Sequence, residues 1–227
     1  MKRVTAVLLA AGRGYRFRSK IPKPLARIER QAMIVYSLSV LSRHPRIKEI
    51  IVVANKRNSK QIAVHLAQYR IKKVRYIVLG GARRQDSVAH ALAVMDASTD
   101  LVLIHDAARP FLDKRVVSAL IKEALESGAA IAGVPVKATV KRAGLRLDVK
   151  ETLDRRGLWE IQTPQVFKKE LILEAYKKFN HLDVTDDAML VEKLGKKVRI
   201  VMGSYNNIKI TTPEDLVIAK AIAKHVL

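Results

Sequence analysis

Short apolar runs along the chain alternate with segments in which apolar residues recur every three or four positions. The apolar runs have the length of buried strands and cover residues 6–9, 50–53, 74–79, 101–104 and 198–202. The periodic segments are typical of helices that cover a sheet and span residues 33–41, 62–69, 88–95, 113–127, 168–179, 186–194 and 213–219. This alternation predicts an α/β fold with a mostly parallel central sheet, helices on both faces and right-handed crossovers.

Local signals mark several helix ends. Asp113 is a good N-cap for the helix that follows it, and Gly128 is typical of a C-terminal cap. His44-Pro45 closes the first long helix, and Pro213 opens the last one.

The alternation breaks between about residues 136 and 157. Short stretches of apolar and charged residues surround Gly144 there, which predicts a β-hairpin that projects from the body as an arm. Such an arm has too little apolar surface to be stable alone, so we expect a second copy of the chain to support it in a symmetric dimer. Without repeats or linkers, the chain is expected to form one domain over residues 1–227 that carries this arm.

Composition excludes several kinds of chemistry. The 227 residues include no cysteine, which rules out disulfides, thiolate nucleophiles and zinc sites built on cysteine. The apolar runs are shorter than the roughly 18 residues of a transmembrane helix. We therefore expect a cytoplasmic protein with no membrane partner.

The charge balance raises a nucleic-acid-binding protein as an alternative. Lys and Arg number 43 against 21 Asp and Glu, for a net charge of +22, and such an excess favours polyanions. However, the basic residues are spread along the whole chain, and aromatic residues that could stack on bases make up only 5%. We therefore rank a nucleic-acid partner below an anionic small molecule.

The loop after the first strand is a candidate for binding phosphate. It contains Ala10, Ala11, Gly12 and Gly14, and then come Arg16 and Lys23. Glycines allow backbone N–H groups to approach phosphate oxygens closely, and the two cations neutralise charge. The loop matches neither GxGxxG nor a Walker loop, and an ordinary strand-to-helix turn with exposed basic residues is the alternative.

Two further clusters lie at predicted strand ends, where ligands bind in open parallel sheets. Gly81, Ala82 and Ser87 could contact a flat base through backbone and hydroxyl groups, although a plain capped loop explains them equally well. Asp106 could hold magnesium and Arg109 an anionic substrate, with a structural Asp–Arg pair as the alternative. We expect His105 to be a packed strand-end residue.

The remaining candidates are polar residues suited to a small polar substrate: Thr139, Arg155, Thr163 and Thr185, together with Lys209 beside a strand-like segment. None is distinctive alone. The chain contains no recognisable Ser-His-Asp triad and no pair of glycosidase carboxylates.

Taken together, these segments resemble the 2-C-methyl-D-erythritol 4-phosphate cytidylyltransferases of the non-mevalonate isoprenoid pathway. The resemblance covers nearly the whole chain in order: LAAGRG, the Pro22-Lys23 pair, GGARRQDSV, HDAARP, the arm, QTPQ, Thr185-Asp186-Asp187 and NIKIT. It implies a Rossmann-like nucleotidyltransferase fold and a homodimer joined through the arms. It also implies that the substrate phosphate attacks the α-phosphorus of CTP and that magnesium pyrophosphate leaves.

The resemblance also implies roles for individual residues. Arg16, Lys23 and Lys209 stabilise charge at the α-phosphate, and the loop of Ala10, Ala11, Gly12 and Gly14 binds CTP. Cytosine is read by Gly81, Ala82 and Ser87, while Asp106 contacts CTP and Mg²⁺. The methylerythritol phosphate meets Arg109, Thr163, Thr185 and Lys209, and also Thr139 and Arg155 from the partner's arm. Ribitol or ribulose 5-phosphate is the alternative substrate, because the enzymes acting on these share the fold and most motifs.

Overall fold

Seven strands form the central sheet of the computed structural model, which describes residues 2–12, 14–17, 19 and 21–226. The strands are numbered in chain order, and from one edge of the sheet to the other they are β11 (Arg199–Met202), β7 (Ala129–Pro135), β10 (Trp159–Lys168), β6 (Leu101–Asp106), β1 (Val4–Leu9), β4 (Ile47–Ala54) and β5 (Val74–Leu79). Two small hairpins stand apart from this sheet: β2 (Arg27–Ile28) with β3 (Gln31–Ala32), and β8 (Val140–Ala143) with β9 (Val149–Leu153).

The α-helices occupy the predicted positions between the strands. They are α1 (Met33–Arg43), α2 (Ser59–Gln68), α3 (Arg84–Ala93), α4 (Lys114–Ser127), α5 (Lys169–Phe179), α6 (Ala188–Lys193) and α7 (Pro213–Val226). Among the described residues, no helix combines the length and the apolar character needed to cross a bilayer.

The strands of the central sheet run parallel except where β10 is involved. β1 pairs in parallel with both β4 and β6, whereas β10 is antiparallel to β6 and β7. The register pairs Gln165 of β10 with Ile104 of β6. The carboxyl ends of β1, β4, β5 and β6 and the first half of β10 therefore meet at one edge of the sheet.

Helices cover both faces of the sheet, as predicted. Successive side chains of β1 point to opposite faces: Leu8 packs in a cluster with Leu38 of α1, while Val7 packs in a second cluster with Val88 of α3. Both clusters consist of fully or nearly buried apolar side chains. The near-continuous apolar runs in the sequence follow from this double burial.

The predicted ends of α4 are confirmed. The Asp113 carboxylate accepts a hydrogen bond from the backbone N–H of Arg115, and Gly128 adopts a left-handed φ of 92°. Each satisfies backbone groups that the helix leaves without partners at its ends. This helix is thereby set between β6 and β7.

The sequence pattern does not predict two strands of the sheet, β7 and β10. β7 is built largely from alanine, glycine and proline, which have low strand propensity. β10 mixes polar residues with Pro164, at the point between Ile161 and Gln165 where its pairing with β7 is interrupted. Both become strands because their neighbours in the sheet supply hydrogen bonds and burial.

A third apolar cluster joins the C-terminal helix to the segment around Lys23. Ala219 and Ala223 of α7 pack with Phe17, Ile28 and Met33. The stretch before α7 is anchored by the Ile210 N–H, which donates to the Ala108 carbonyl at 2.9 Å. Residues from opposite ends of the chain are thus brought to the end of β6.

The arm predicted around Gly144 is the β8–β9 hairpin. Its two strands pair with each other and are not part of the central sheet. Leu145 is fully exposed at its tip, and Leu147 and Val149 are also exposed. The rest of the described chain leaves most of the surface of these apolar side chains uncovered.

We predict that Gly80→Ala destabilises the protein. A Cβ at Gly80 would lie 2.4 Å from the Ala11 Cβ and 2.7 Å from the Ser87 Oγ, so the loops after β1 and β5 would be pushed apart. Overpacking of this kind costs about 1–3 kcal/mol. Chemical denaturation measures the free energy of unfolding, with Gly12→Ala as the control because a Cβ there meets nothing within 4 Å. Equal stability of the two variants would contradict the predicted clash.

Candidate active site

The Asp106 carboxylate at the end of β6 lies between two cations. Lys209 Nζ is 2.7 Å from Oδ2, and Arg84 Nε is 3.2 Å from Oδ1. Burial by itself would raise the pKa of this carboxyl, but Arg84 and Lys209 outweigh burial and hold the pKa well below its usual range. Asp106 is therefore an ionised group at neutral pH, with one oxygen on each cation.

Lys23 adds a further positive charge to this centre. It begins a short 3₁₀ turn, Lys23–Leu25, and its Nζ donates to the Ile210 carbonyl at 3.2 Å. Burial and then the neighbouring Lys209 charge lower the pKa of the Lys23 ammonium; Arg16 acts in the same direction and Asp106 opposes it. Lys23 thus lies close enough to Lys209 and Arg16 to be repelled by both, and close enough to Asp106 to be attracted by it. An anionic ligand would relieve that repulsion.

The loop after β1 is held by two amide side chains that sequence reasoning missed. Asn58 Nδ2 donates to the Ala10 carbonyl at 2.8 Å, and Asn55 Nδ2 donates to the Ala11 carbonyl at 3.0 Å. These bonds fix the peptide planes of the loop from the β4 side. Gly12 is exposed, and Gly14 has a left-handed φ of 66° that favours glycine. The sequence feature that could have identified these two asparagines is their position directly after β4, whose carboxyl end lies at the same edge of the sheet.

The loop after β5 is closed by Ser87. Its buried hydroxyl accepts a hydrogen bond from the Gly81 N–H at 3.1 Å and donates to the Arg83 carbonyl at 3.2 Å. A Cβ at Gly81 would come within 2.4 Å of the Asp86 Cβ, so the turn requires glycine there. Gly81 and Ala82 are exposed. Recognition of a base by these residues stays a prediction.

His105 is a packed strand-end residue, as expected. It is fully buried, with Nδ1 at 3.1 Å from the Thr163 hydroxyl and Nε2 at 3.0 Å from the Arg109 carbonyl. Burial lowers its pKa to about 4, so the imidazole is neutral near pH 7. The Thr163 hydroxyl also accepts from the Asp106 N–H at 3.1 Å. Thr163 therefore ties β10 to the end of β6, whatever else it contacts.

Arg109 joins three segments of the chain. Its Nη1 donates to the Asn207 carbonyl at 2.6 Å and its Nη2 donates to the Ile161 carbonyl at 3.4 Å, while Nε is buried without a partner among the described residues. Asn207 in turn donates to the Gln162 side chain at 3.1 Å. Asn207 and Gln162 belong to the NIKIT and QTPQ motifs, but the sequence assigned them no role.

Arg109 and Lys209 line a cavity of about 250 Å³ at this edge of the sheet. The other polar groups on its wall are a carboxylate, an amide and a phenol, from Glu160, Gln162 and Tyr205. Two cations can hold a phosphate while the remaining groups accept or donate hydrogen bonds to hydroxyls. A larger cavity, about 510 Å³, lies between α1 and the end of α2 and contains none of the predicted site residues.

The other predicted substrate residues lie on the protein surface. Thr185 is exposed, two residues before Asp187, which pairs with Arg84. Thr139 and Arg155 are exposed at the base of the arm, where Arg155 donates to the Lys137 carbonyl. Within the described ranges, no hydrogen bond or ion pair joins either of them to the Asp106 centre.

Arg84 is the most consequential residue that sequence reasoning missed. Its Nη1 is 2.7 Å from Asp187 Oδ2, in addition to its contact with Asp106. The Tyr176 hydroxyl donates to the other oxygen of Asp187 at 2.5 Å. The preceding residue, Arg83, instead pairs with Asp86 on the surface. Two adjacent arginines look alike in sequence, and only one reaches the site.

A metal ion could find few protein ligands here. The described residues contain no group of three or more His, Cys, Asp or Glu side chains that could hold one. Asp106 is a carboxylate in direct contact with Lys209 and Arg84. Mg²⁺ commonly takes only one or two carboxylates and completes its shell with phosphate oxygens and water, so this donor set fits an ion that arrives with a nucleotide.

Comparison with known proteins gives one consistent result. The sequence model of the family described as IspD, 2-C-methyl-D-erythritol 4-phosphate cytidylyltransferase, matches residues 4–225. A curated 2-C-methyl-D-erythritol 4-phosphate cytidylyltransferase of Shouchella clausii is 45% identical over 222 residues, covering 96% of each chain. One from Alkaliphilus metalliredigens is 41% identical over 223 residues, covering 97% of this chain and 92% of its own.

Solved structures agree in fold over the whole length. The 4-diphosphocytidyl-2C-methyl-D-erythritol synthase of Anaerococcus prevotii superposes with a TM-score of 0.86 at 34% identity, covering 98% of this chain and 99% of its own. The 2-C-methyl-D-erythritol 4-phosphate cytidylyltransferase of Thermus thermophilus gives a TM-score of 0.80 at 31% identity, covering 99% and 100%.

We predict that Thr163→Val lowers the free energy of unfolding by about 1–3 kcal/mol, because the Asp106 N–H loses its acceptor while it stays buried. Thr163→Ser keeps the hydroxyl and is the matched control. Urea denaturation at pH 7 compares the two. If valine were as well tolerated as serine, the hydroxyl would not hold β10 to β6.

Proposed function

The chain belongs to the 2-C-methyl-D-erythritol 4-phosphate cytidylyltransferase family, and from this premise we propose how its residues carry out the reaction. The enzyme transfers CMP from CTP to 2-C-methyl-D-erythritol 4-phosphate, a step of isoprenoid biosynthesis. The products are 4-diphosphocytidyl-2-C-methyl-D-erythritol and pyrophosphate. The observation that carries the proposal is the placement of Lys23 and Lys209 beside the Asp106 carboxylate, next to a cavity that Arg109 and Lys209 line.

The reaction requires neither a nucleophilic side chain nor a strong base. An oxygen of the sugar phosphate forms a bond to the α-phosphorus of CTP, and the bond from that phosphorus to the bridging oxygen breaks, so that pyrophosphate leaves with the electron pair. The attacking group is already an anion at neutral pH. The rate acceleration therefore comes mainly from positioning the substrates and neutralising their charge. His105 is neutral and hydrogen-bonded within the protein, which is consistent with a reaction that needs no side-chain base.

Arg16, Lys23 and Lys209 are the proposed catalytic cations. Repulsion from Lys209 and, more weakly, from Arg16 lowers the pKa of Lys23, after the larger effect of burial, and negative charge developing at the α-phosphate would offset this repulsion. Fixed charges that meet a transition state without reorganising are the strongest source of catalysis of this kind. Lys209 also lines the cavity beside Arg109, so it can contact both reacting phosphates.

The nucleotide is proposed to lie along the loops after β1 and β5. Ala10, Ala11, Gly12 and Gly14 present backbone groups to the triphosphate. Gly81, Ala82 and Ser87 would read cytosine, chiefly through the backbone, because the Ser87 hydroxyl already closes its own loop. Asp106 would contact the nucleotide. When Mg²⁺ accompanies CTP, the Asp106 carboxylate would be the ligand that the protein supplies to the ion. The ion would neutralise phosphate charge.

The sugar phosphate is proposed to occupy the 250 Å³ cavity. Arg109 and Lys209 would hold its phosphate, with Thr163 and Thr185 nearby. Thr139 and Arg155 would come from the arm of a second subunit, since the arm of the same chain makes no polar contact with this centre in the described ranges. The exposed apolar tip, Leu145 to Val149, supports such a homodimer.

Residues 1–227 are proposed to act as one catalytic domain with the arm at about 136–157. A cytoplasmic location stays a prediction.

Pyrophosphate release measured with CTP, Mg²⁺ and a series of sugar phosphates tests the assignment directly. We expect turnover with 2-C-methyl-D-erythritol 4-phosphate and not with ribitol or ribulose 5-phosphate, and a preference for CTP over ATP, GTP and UTP. Turnover confined to ribitol or ribulose phosphate would replace the proposed substrate.

We predict that Lys23→Met and Lys209→Met each lower kcat by about 10²–10³-fold, the usual cost of losing one group that stabilises transition-state charge. Methionine keeps most of the apolar stem and removes the charge. Lys178→Met, which removes a surface lysine paired with Glu174, is the control with unchanged rate. Wild-type kcat in both site variants would refute the roles given to these lysines.

A mixing experiment tests the sharing of the arm. We expect Arg155→Ala and Lys23→Ala homodimers both to be slow. Heterodimers of the two variants should regain up to half of the wild-type activity per dimer, because one site then combines intact residues from both chains. Verified heterodimers without any gain would show that each chain supplies its own Arg155.

A further inference from the structure

We propose that Arg84 is a positioning residue for nucleotidyl transfer: it occupies one oxygen of Asp106 and thereby confines Lys209 to the other. This inference rests on the roles proposed above for Asp106 and Lys209. Its geometry is direct, since Arg84 Nε meets Oδ1 at 3.2 Å while Lys209 Nζ meets Oδ2 at 2.7 Å. Each cation has its own carboxylate oxygen.

Arg84 is itself held from behind by packed helices. Its Nη1 pairs at 2.7 Å with Asp187, whose side chain is only 1% exposed and stands directly before α6. Asp187 is fixed in turn by the hydroxyl of Tyr176 on α5, at 2.5 Å. A continuous series of polar contacts therefore runs from the body of the protein to the carboxylate in the site.

Local structure alone gives no reason for an arginine at this position. Arg84 is the first residue of α3, where a positive charge interacts unfavourably with the helix dipole. Removing a guanidinium from water between two carboxylates also carries a desolvation cost. Its Nη2 remains buried without a partner in the described part of the chain. A role for Arg84 in positioning Asp106 and Lys209 would account for these costs.

The consequence for catalysis concerns Lys209. An ammonium has three donors, and a single bond to Asp106 leaves two of them for substrate phosphates. If Oδ1 were vacant, the carboxylate could rotate and hold the ammonium through both oxygens, away from the α-phosphate. Because a displacement of about 1 Å can cost 10²-fold in rate, losing Arg84 should reduce kcat far more than substrate affinity.

The test compares Arg84→Ala with Arg83→Ala, which removes the adjacent arginine together with its surface pair with Asp86 and its hydrogen bond to the Asn180 carbonyl. We expect kcat to fall about 10- to 100-fold in Arg84→Ala, with the KM for each substrate within about threefold of wild type, and no change in Arg83→Ala. Guanidinium ion at millimolar concentration should restore part of the rate to Arg84→Ala and to neither wild type nor the control. A structural defect would not be rescued in this way.

Asp106→Ala and the double variant separate this inference from the proposed function. We expect the double variant to be no slower than Asp106→Ala, because Arg84 acts through that carboxylate. If Asp106→Ala turned over normally, the role of Asp106 itself would fail. If Asp106→Ala were slow and Arg84→Ala normal, or if the two losses multiplied in the double variant, the positioning role would be overturned while the proposed function stood. Arg84→Lys, which retains the charge but reaches only one carboxylate, replaces Arg84→Ala if the latter does not fold.

Discussion

One buried carboxylate organises this molecule's functional edge. Asp106 is 7% exposed, and an ionised group at that depth persists only when cations stand beside it. Those cations come from distant parts of the sequence: Arg84 opens α3, and Lys209 lies just before α7. The end of β6 therefore fixes where the helices and the C-terminal segment must meet.

The same edge carries more positive charge than Asp106 can balance. Lys209 and Arg16 both repel Lys23, and Arg109 lines the adjoining cavity. The fold sustains this repulsion because the large clusters on both faces of the sheet and the third cluster under α7 hold the backbone in place. A site held this way is complementary to phosphate anions before they bind, which is the condition for electrostatic catalysis.

Function depends on segments that do not look alike. Backbone loops after β1 and β5 suit a nucleotide, a side-chain cavity beside β10 suits a sugar phosphate, and the projecting hairpin has an exposed apolar tip. The antiparallel β10 joins the last two features to β6, since Thr163 bonds to Asp106 and Ile161 to Arg109. The overall positive charge of the chain is in keeping with anionic substrates.

Much of this arrangement could be predicted from the sequence. Apolar periodicity identified β1, β4, β5, β6 and the helices, because burial on both faces leaves a local pattern, and Asp113 and Gly128 marked the ends of α4. Strand ends also located the candidate loops. Only the tertiary structure decided that β7 and β10 are strands, that Arg84 rather than Arg83 reaches Asp106, and that Asn55 and Asn58 hold the first loop. Those choices depend on distances between residues far apart in the chain, on which local pattern carries no information.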